Sequence, residues 1–421
     1  MDKIIITGGQ RLEGTVKLSG AKNAALPIMA AALLAEDKSV IDNVPSLKDV
    51  KTMAGILKVL GAKTDFSDNR LTIEAEGPLN PLAPYELVRT MRASVCVLGP
   101  LLARLGRAKV AHPGGCVIGP RPVDLHLKGL RKLGAKIEIE HGYIVAEAEN
   151  GLKGNEIYLA GTFGSSVLGT ANVMMAATLA KGITIIEGAA CEPEVVDLAD
   201  FLRGMGANIE GAGTHRLRIE GVKELHGVEH SLILDRIEAG THLIGGAITG
   251  GEVTLRGARF EHLQAVVDKL EETGVEITRM EEGLRVKATG TLKSVDVTTL
   301  PYPGFPTDIQ AQMMVLLTVA EGIGVISERI YPDRFMHVSE LLRMGAHILR
   351  EGPRAIVKGR TRLSGAPVMA SDLRASAALI LAGLVAEGET EVSRVYHLDR
   401  GYERIEEKLS RLGAKIRRVA E

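Results

Sequence analysis

Six stretches of the chain end alike: "ILKVLGAKT" (56–64), "LRKLGAKIE" (130–138), "FLRGMGANIE" (201–210), "LEETGVEIT" (270–278), "LLRMGAHIL" (341–349) and "LSRLGAKIR" (409–417). Their shared glycines are Gly61, Gly134, Gly206, Gly274, Gly345 and Gly413, spaced 73, 72, 68, 71 and 68 residues apart. Each reads as an amphipathic helix closed by glycine in the left-handed C′ position, followed by a strand. The glycines are therefore helix caps, and a repeat of roughly 70 residues organises the chain.

Every repeat carries a second helix of another kind: 23–35, 88–106, 169–182, 237–251, 307–322 and 371–388. These runs, such as "GTANVMMAATLAKG", are apolar almost all round, so they belong inside, while helices such as "LKDVKTMAGILKVLG" lie outside. Six copies in 421 residues exceed one compact core and predict two domains of three copies each. The boundary falls near "VEHSLILDRIE". The predicted domains are 22–232, and 1–21 with 233–421, the first and last strands sharing one domain.

Composition narrows the function. A formal net charge of −1 provides no whole-molecule field for nucleic acid or anionic membrane, so an anion site must be local. Three scattered cysteines make neither a disulfide framework nor a metal cluster and suit a reducing cytoplasm. The start "MDKIIITGGQ" lacks the features of a signal peptide, and "ASAALILAGLVA" is too short to span a bilayer. The expectation is a soluble cytoplasmic protein without membrane or nucleic-acid partners.

The apolar helices begin with polar residues: Lys22 and Asn23; Arg89 and Arg92; Ser165 and Ser166; Asp235, Arg236 and Glu238; Thr307 and Asp308; Asp372 and Arg374. Thr307, Asp372, Ser165 and Asp235 read first as N-caps. Lys and Arg at helix N-termini oppose the dipole, so their recurrence points to function. Three helix N-termini aimed at one end of each domain, with Lys22, Arg92 and Arg374, would form an anion site.

In three repeats the distance from the short strand to the capping glycine is 18 residues (43 to 61, 188 to 206, 395 to 413), but His112 to Gly134 is 22. The stretch "HPGGCVIGPRPVDLH" (112–126) is thus an insertion of about four residues, rich in glycine and proline, with the properties of a mobile lid. Its Cys116 sits near Arg121, and a cationic neighbour favours the reactive thiolate. Cys96, in "ASVCVLG", reads as packing, and Cys191 as inert, since nothing cationic is near it in sequence. A cysteine hydrolase needs an oriented imidazole beside the thiol, and the histidines here are scattered. A scaffold or a ring encircling DNA would need a basic inner face, whereas these cations sit at helix starts.

The motifs "SGAKNAALPI" (19–28), "TMRAS" (90–94), "PGGCVIGPRPVDLH" (113–126), "FPTDIQAQ" (305–312), "RFMHVSEL" (334–341), "DLRASAAL" (372–379) and "HLDRGYERIEEKL" (397–409) resemble the UDP-N-acetylglucosamine 1-carboxyvinyltransferases of the enolpyruvyl transferase family. The sister family acting on shikimate phosphate lacks the cysteine loop. The resemblance implies an α/β fold of two inside-out α/β barrels. Each is built from three βαβαββ-type repeats, with the active site in the interdomain cleft. It implies transfer of the enolpyruvyl group of phosphoenolpyruvate to the 3′-hydroxyl of UDP-N-acetylglucosamine through a tetrahedral ketal, with no metal or organic cofactor. That reaction opens peptidoglycan precursor synthesis. Separately from the resemblance, a monomer is the working expectation.

The resemblance also implies residue roles. Cys116 donates a proton, attaches covalently to the enolpyruvyl carbon, and is the target of thiol-directed epoxides such as fosfomycin. Asp308 is the base, and Lys22 and Arg400 join the catalytic set. Lys22, Asn23, Arg92, Arg121 and Arg400 hold phosphoenolpyruvate. Asn23, Arg92, Arg121, Pro122, Val123, Asp124, Leu125, Ser166, Val167, Asp308 and Ile330 meet the nucleotide sugar. Asp372, Arg374 and Arg334 support the cleft. Two positions depart from the family pattern: Leu168 replaces glycine in "SVLGT", and Tyr302 stands where histidine can occur.

Overall fold

The computed structural model describes residues 2–113, 123–288 and 290–420. It divides into two compact units. The first holds residues 20–113 and 123–233, the second 2–19 and 234–420. Each has its own apolar core.

Among the described residues each unit has three four-stranded sheets of one design, and the first unit adds a two-stranded ribbon, Ala160–Gly161 with Gly164–Ser165. An edge strand runs parallel to its neighbour, and two further strands follow antiparallel. In the first unit one sheet runs Glu229–Ser231, Ser39–Asp42, Arg70–Glu74, Lys63–Ser67. In the second unit Lys3–Thr7 lies between Glu389–Ser393 and Lys415–Val419, so the chain's first strand pairs with its last, Lys3 opposite Val419. Alternation sets which side chains enter the core: along Arg70–Glu74, Leu71 and Ile73 are buried and their neighbours are not.

All six repeat glycines have φ between +90° and +106°, a region that costs a side chain strain. At five of them the residue after the glycine closes the helix with a bond back to the last turn, as Ala62 N–H does to the Leu57 carbonyl at 2.9 Å.

The apolar helices are buried along their length. In Leu373–Val385 every residue from Arg374 to Leu384 is buried, and in Val167–Ala177 every residue from Gly169 onward. In the second unit, Arg236–Ile248, Gln310–Val319 and Leu373–Val385 pack on one another and on their sheets. Burying each Leu, Ile or Met contributes roughly 1.5–3 kcal/mol, which explains why these helices need no polar face.

One expected helix is not continuous. The run 88–106 forms a short helix Tyr85–Val88, a 3₁₀ segment Arg92–Val97 and the helix Leu98–Leu105. A buried asparagine stabilises the 3₁₀-to-α junction. Asn172 Oδ1 accepts from Gly99 N–H at 2.6 Å, and its Nδ2 donates to the Val95 carbonyl at 2.9 Å. Only glycine fits at 99, because a Cβ there would stand 2.3 Å from the Asn172 carbonyl oxygen.

Among the described residues the chain passes between the units at 19–20 and 233–234. In the first unit Ala21 N–H donates to the Ile233 carbonyl at 2.7 Å, and in the second Asp235 N–H donates to the Ser19 carbonyl at 2.9 Å. Within the second unit, Lys408 Nζ reaches Ser19 Oγ at 2.8 Å and Glu238 Oε1 at 2.5 Å, fixing the end of that segment. Among the described residues no helix is long and apolar enough to cross a membrane.

Candidate functional site

In the second unit the starts of three buried helices converge. Asp235 caps Arg236–Ile248 by accepting from the N–H groups of Ile237 and Glu238, and Asp372 caps Leu373–Val385 by accepting from those of Arg374 and Ala375. Thr307 does not cap: it begins a 3₁₀ turn after Pro306, and its hydroxyl donates to Glu328 Oε2 at 2.9 Å. In the first unit Ser166, rather than Ser165, caps Val167–Ala177 through Gly169 N–H.

Asp308 lies in the second unit's polar centre. Its Oδ1 is 2.7 Å from Arg334 Nη1 and its Oδ2 3.3 Å from Arg374 Nη2. Arg374 is 1% exposed and stacks over the Tyr402 ring at 5.2 Å. Burial works against its charge, but Tyr402, Asp308 and Asp235 outweigh it and hold the guanidinium above its ordinary value. Arg334 is raised the same way, burial opposed by Asp308, Asp372 and Glu328. His337 is pushed down to about 4 by burial and Arg334, against the pull of Asp372. The helix starts thus bring together Asp235, Asp308, Asp372 and Arg374, and Arg334, from the segment before His337–Arg343, joins them, a more balanced centre than a cation cluster.

Around this centre lie groups the sequence reading did not assign. Tyr402 Oη is 2.8 Å from Thr241 Oγ1, and Gln312 Nε2 donates to it at 3.1 Å and to the Asp308 carbonyl at 3.1 Å. Burial raises the Tyr402 phenol. The clue was a polar residue within each apolar helix, Thr241 and Gln312. Ile330 enters the centre through its backbone N–H, which donates to Glu328 Oε1 at 2.8 Å. Arg400 ends the 3₁₀ helix Val395–Arg400. The next residue, Gly401, packs so closely that a Cβ there would stand 2.5 Å from Leu373 Cδ1, with Arg374 Nη1 3.5 Å away.

In the first unit Lys22 opens the helix Lys22–Ala31, and its Nζ is 2.7 Å from Asp49 Oδ2, both side chains buried. The carboxylate offsets the unfavourable lysine–dipole interaction. Asn23 follows, half-buried. Arg92 begins the 3₁₀ segment. His126 on the neighbouring helix Asp124–Lys132 is pushed down to about 3, by burial first and then by Arg92. Its Nδ1 accepts from Asn172 Nδ2 at 3.0 Å, which places the imidazole proton on Nε2. Leu125, on the same helix, lies against Gly161 and against Gly169, beside Ser166. The fold therefore gathers Arg92, Asp124, Leu125, Ser166 and Val167 at one end of the unit, with Val123 buried just before them. Leu168 packs half-buried against the core. Cys116, Arg121 and Pro122 lie outside the described residues.

The other two thiols differ from each other. Cys96 is fully buried and pushed up to about 12 by burial, as a packing residue should be. Cys191 has an imidazole neighbour that the sequence hid: His215 Nδ1 is 3.3 Å from its Sγ. Burial and Glu192 nonetheless raise this thiol. Among the described residues no group of three or more His, Cys, Asp or Glu is arranged to hold a metal.

Comparison with known proteins follows the same lines. The EPSP synthase (3-phosphoshikimate 1-carboxyvinyltransferase) family model matches residues 6–409. A UDP-N-acetylglucosamine 1-carboxyvinyltransferase of Methylacidiphilum infernorum is 57% identical over 419 residues, covering 100% of this chain and 99% of that one. One from Magnetococcus marinus is 56% identical over 421 residues, covering both chains entirely. Among solved structures, the enolpyruvyl transferase NikO from Streptomyces tendae superposes with a TM-score of 0.89 at 25% identity, over 100% of this chain and 99% of that one. EPSP synthase from Acinetobacter baumannii shares the fold, with a TM-score of 0.78 at 18% identity and both chains fully covered. The chain, an α/β protein, belongs to the EPSP synthase family of enolpyruvyl transferases and, within it, to the UDP-N-acetylglucosamine 1-carboxyvinyltransferases.

Proposed function

We propose that this chain transfers the enolpyruvyl group of phosphoenolpyruvate to the 3′-hydroxyl of UDP-N-acetylglucosamine and releases phosphate, the opening step of peptidoglycan precursor synthesis. The observation that carries the reading is 57% identity, end to end, with proteins of that name.

The reaction adds the sugar hydroxyl across the enol and then eliminates phosphate through a tetrahedral ketal. Addition needs a proton at C3 and loss of one from the attacking oxygen. Cys116 supplies the first and Asp308 takes the second. Lys22, Asn23, Arg92, Arg121 and Arg400 grip the phosphate and carboxylate of phosphoenolpyruvate, since guanidinium and ammonium groups pair with oxyanions. Asn23, Arg92, residues 121 to 125, Ser166, Val167, Asp308 and Ile330 take the nucleotide sugar. Support comes from the grouping of Arg92, Leu125 and Ser166 in one unit and from the two-guanidinium hold on Asp308 in the other. Asp372, Arg374 and Arg334 serve that second group. In this reading 22–232, and 1–21 with 233–421, are inside-out α/β barrels of three repeats with the active site in their cleft, and the enzyme works as a cytoplasmic monomer.

Phosphate release tests the reading. Protein with phosphoenolpyruvate and UDP-N-acetylglucosamine should release phosphate, and protein with phosphoenolpyruvate and 3-phosphoshikimate should not. Release only with 3-phosphoshikimate would move the assignment to the sister activity, and release with neither acceptor would remove it.

A further inference from the structure

Glu328 lies just past the strand Ile323–Ser327 and is 1% exposed. Its carboxylate accepts four hydrogen bonds. Oε1 takes Thr299 Oγ1 at 2.7 Å, Ile330 N–H at 2.8 Å and Tyr331 N–H at 2.9 Å; Oε2 takes Thr307 Oγ1 at 2.9 Å. A buried carboxylate is costly unless its lone pairs are used, and these donors come from three separate segments. Two of those segments bear the functional groups: residue 307 precedes Asp308, and Ile330 is itself a donor.

The Thr307 hydroxyl has one proton. Because it is given to Glu328, the oxygen presents lone pairs to Arg334, whose Nη1 donates to it at 3.1 Å and to Asp308 Oδ1 at 2.7 Å. Glu328 thereby fixes the polarity of a relay: carboxylate, hydroxyl, guanidinium, Asp308.

We propose that Glu328 is a positioning residue, which sets Asp308 through Thr307 and Arg334 and sets the 329–331 loop through two backbone N–H groups, so that base and sugar-binding loop share one anchor. The proposal rests on the transferase reading above. It separates the two arms: Thr307 governs Asp308 alone, whereas Glu328 governs both.

The test is steady-state phosphate release together with calorimetric binding of UDP-N-acetylglucosamine, for the parent protein, Thr307→Val, Thr307→Ser and Glu328→Ala. A misplacement of about 1 Å costs on the order of 100-fold in rate. Thr307→Val should lower kcat by about ten- to 100-fold with KM for the sugar nucleotide within about threefold. Thr307→Ser, which keeps the hydroxyl, should restore kcat to within about threefold of the parent. Glu328→Ala should lower kcat and also weaken sugar-nucleotide binding by about tenfold. If Glu328→Ala does not fold, the Thr307 pair decides. A folded Thr307→Val with parental kcat, or a serine variant as slow as the valine one, overturns the proposal; so does a folded Glu328→Ala with parental binding, even if its melting temperature falls. A parent that binds UDP-N-acetylglucosamine but releases no phosphate defeats the transferase reading instead, and the calorimetric comparison of that parent with Glu328→Ala still decides whether Glu328 sets the loop.

Discussion

Arg374 and Asp308, 66 residues apart in sequence, meet at 3.3 Å with the arginine fully buried, and Arg334 takes the other oxygen of the same carboxylate. One acidic side chain thus orients two guanidiniums and is oriented by them. Asp308→Asn keeps the shape of the side chain but cannot take up a proton as a carboxylate does. Removing a general base costs about 100- to 10,000-fold, so kcat should fall by that order. The amide also removes one of the counter-charges of two buried cations, so the melting temperature should fall as well. A variant with parental kcat would show that Asp308 is not the base.

The buried histidines make stability depend on pH in a defined sense. His126 and His337 are held at about 3 and about 4, and His242 is also lowered, in each case chiefly by burial. Unfolded histidine titrates near 6.5, so between that value and the folded one the unfolded chain binds more protons. Stability is then full above about pH 6.5 and is lost as pH falls toward 4, by about 1.4 kcal/mol per pH unit per histidine. Urea denaturation at pH 7, 6 and 5 checks this, and a midpoint unchanged across that range would contradict it.

Asn172 satisfies Gly99, Val95 and His126 at once from inside an apolar helix. Asn172→Leu fits the volume but leaves these groups unpaired, at a cost of about 1–3 kcal/mol each. The denaturation midpoint should fall clearly. Because the 3₁₀ segment carries Arg92, KM for the substrates should rise too. An unchanged midpoint would mean that the three contacts contribute nothing net.

The three thiols should separate cleanly. Cys116→Ala should lose most activity, while Cys96→Ala and Cys191→Ala keep it. Cys96→Ala should cost some stability, since its thiol fills a fully buried site. An inactive but folded Cys96→Ala would undo the assignment. An aspartate at 116 can still donate a proton, so Cys116→Asp should turn over while resisting thiol-directed epoxides, which kinetics with and without fosfomycin would reveal.

Much of this was written along the chain. The capping glycines, the amphipathic outer helices and the apolar inner ones follow from periodicity and from the one residue that tolerates positive φ, and these are local properties. Asp308 and Arg374 were legible as charges near the starts of helices that had to be buried, whereas Arg334 was marked only by the family resemblance. Local pattern could not reveal how those charges pair. Asp49 beside Lys22, His215 beside Cys191, and Glu328 holding Thr307 are separated by 27, 24 and 21 residues. Such groups meet only after the sheets and buried helices have closed the intervening chain. The broken helix at 92–98 is partly local, since Gly99 and Pro100 disfavour a continuous helix, and partly tertiary, since the hydrogen bonds of Asn172, over 70 residues away, hold the junction. The sequence by itself determined the sixfold frame and the residue types at its helix starts. Tertiary structure decided which of those residues neutralise, orient or isolate one another, because burial makes each charge depend on whichever partner the fold delivers.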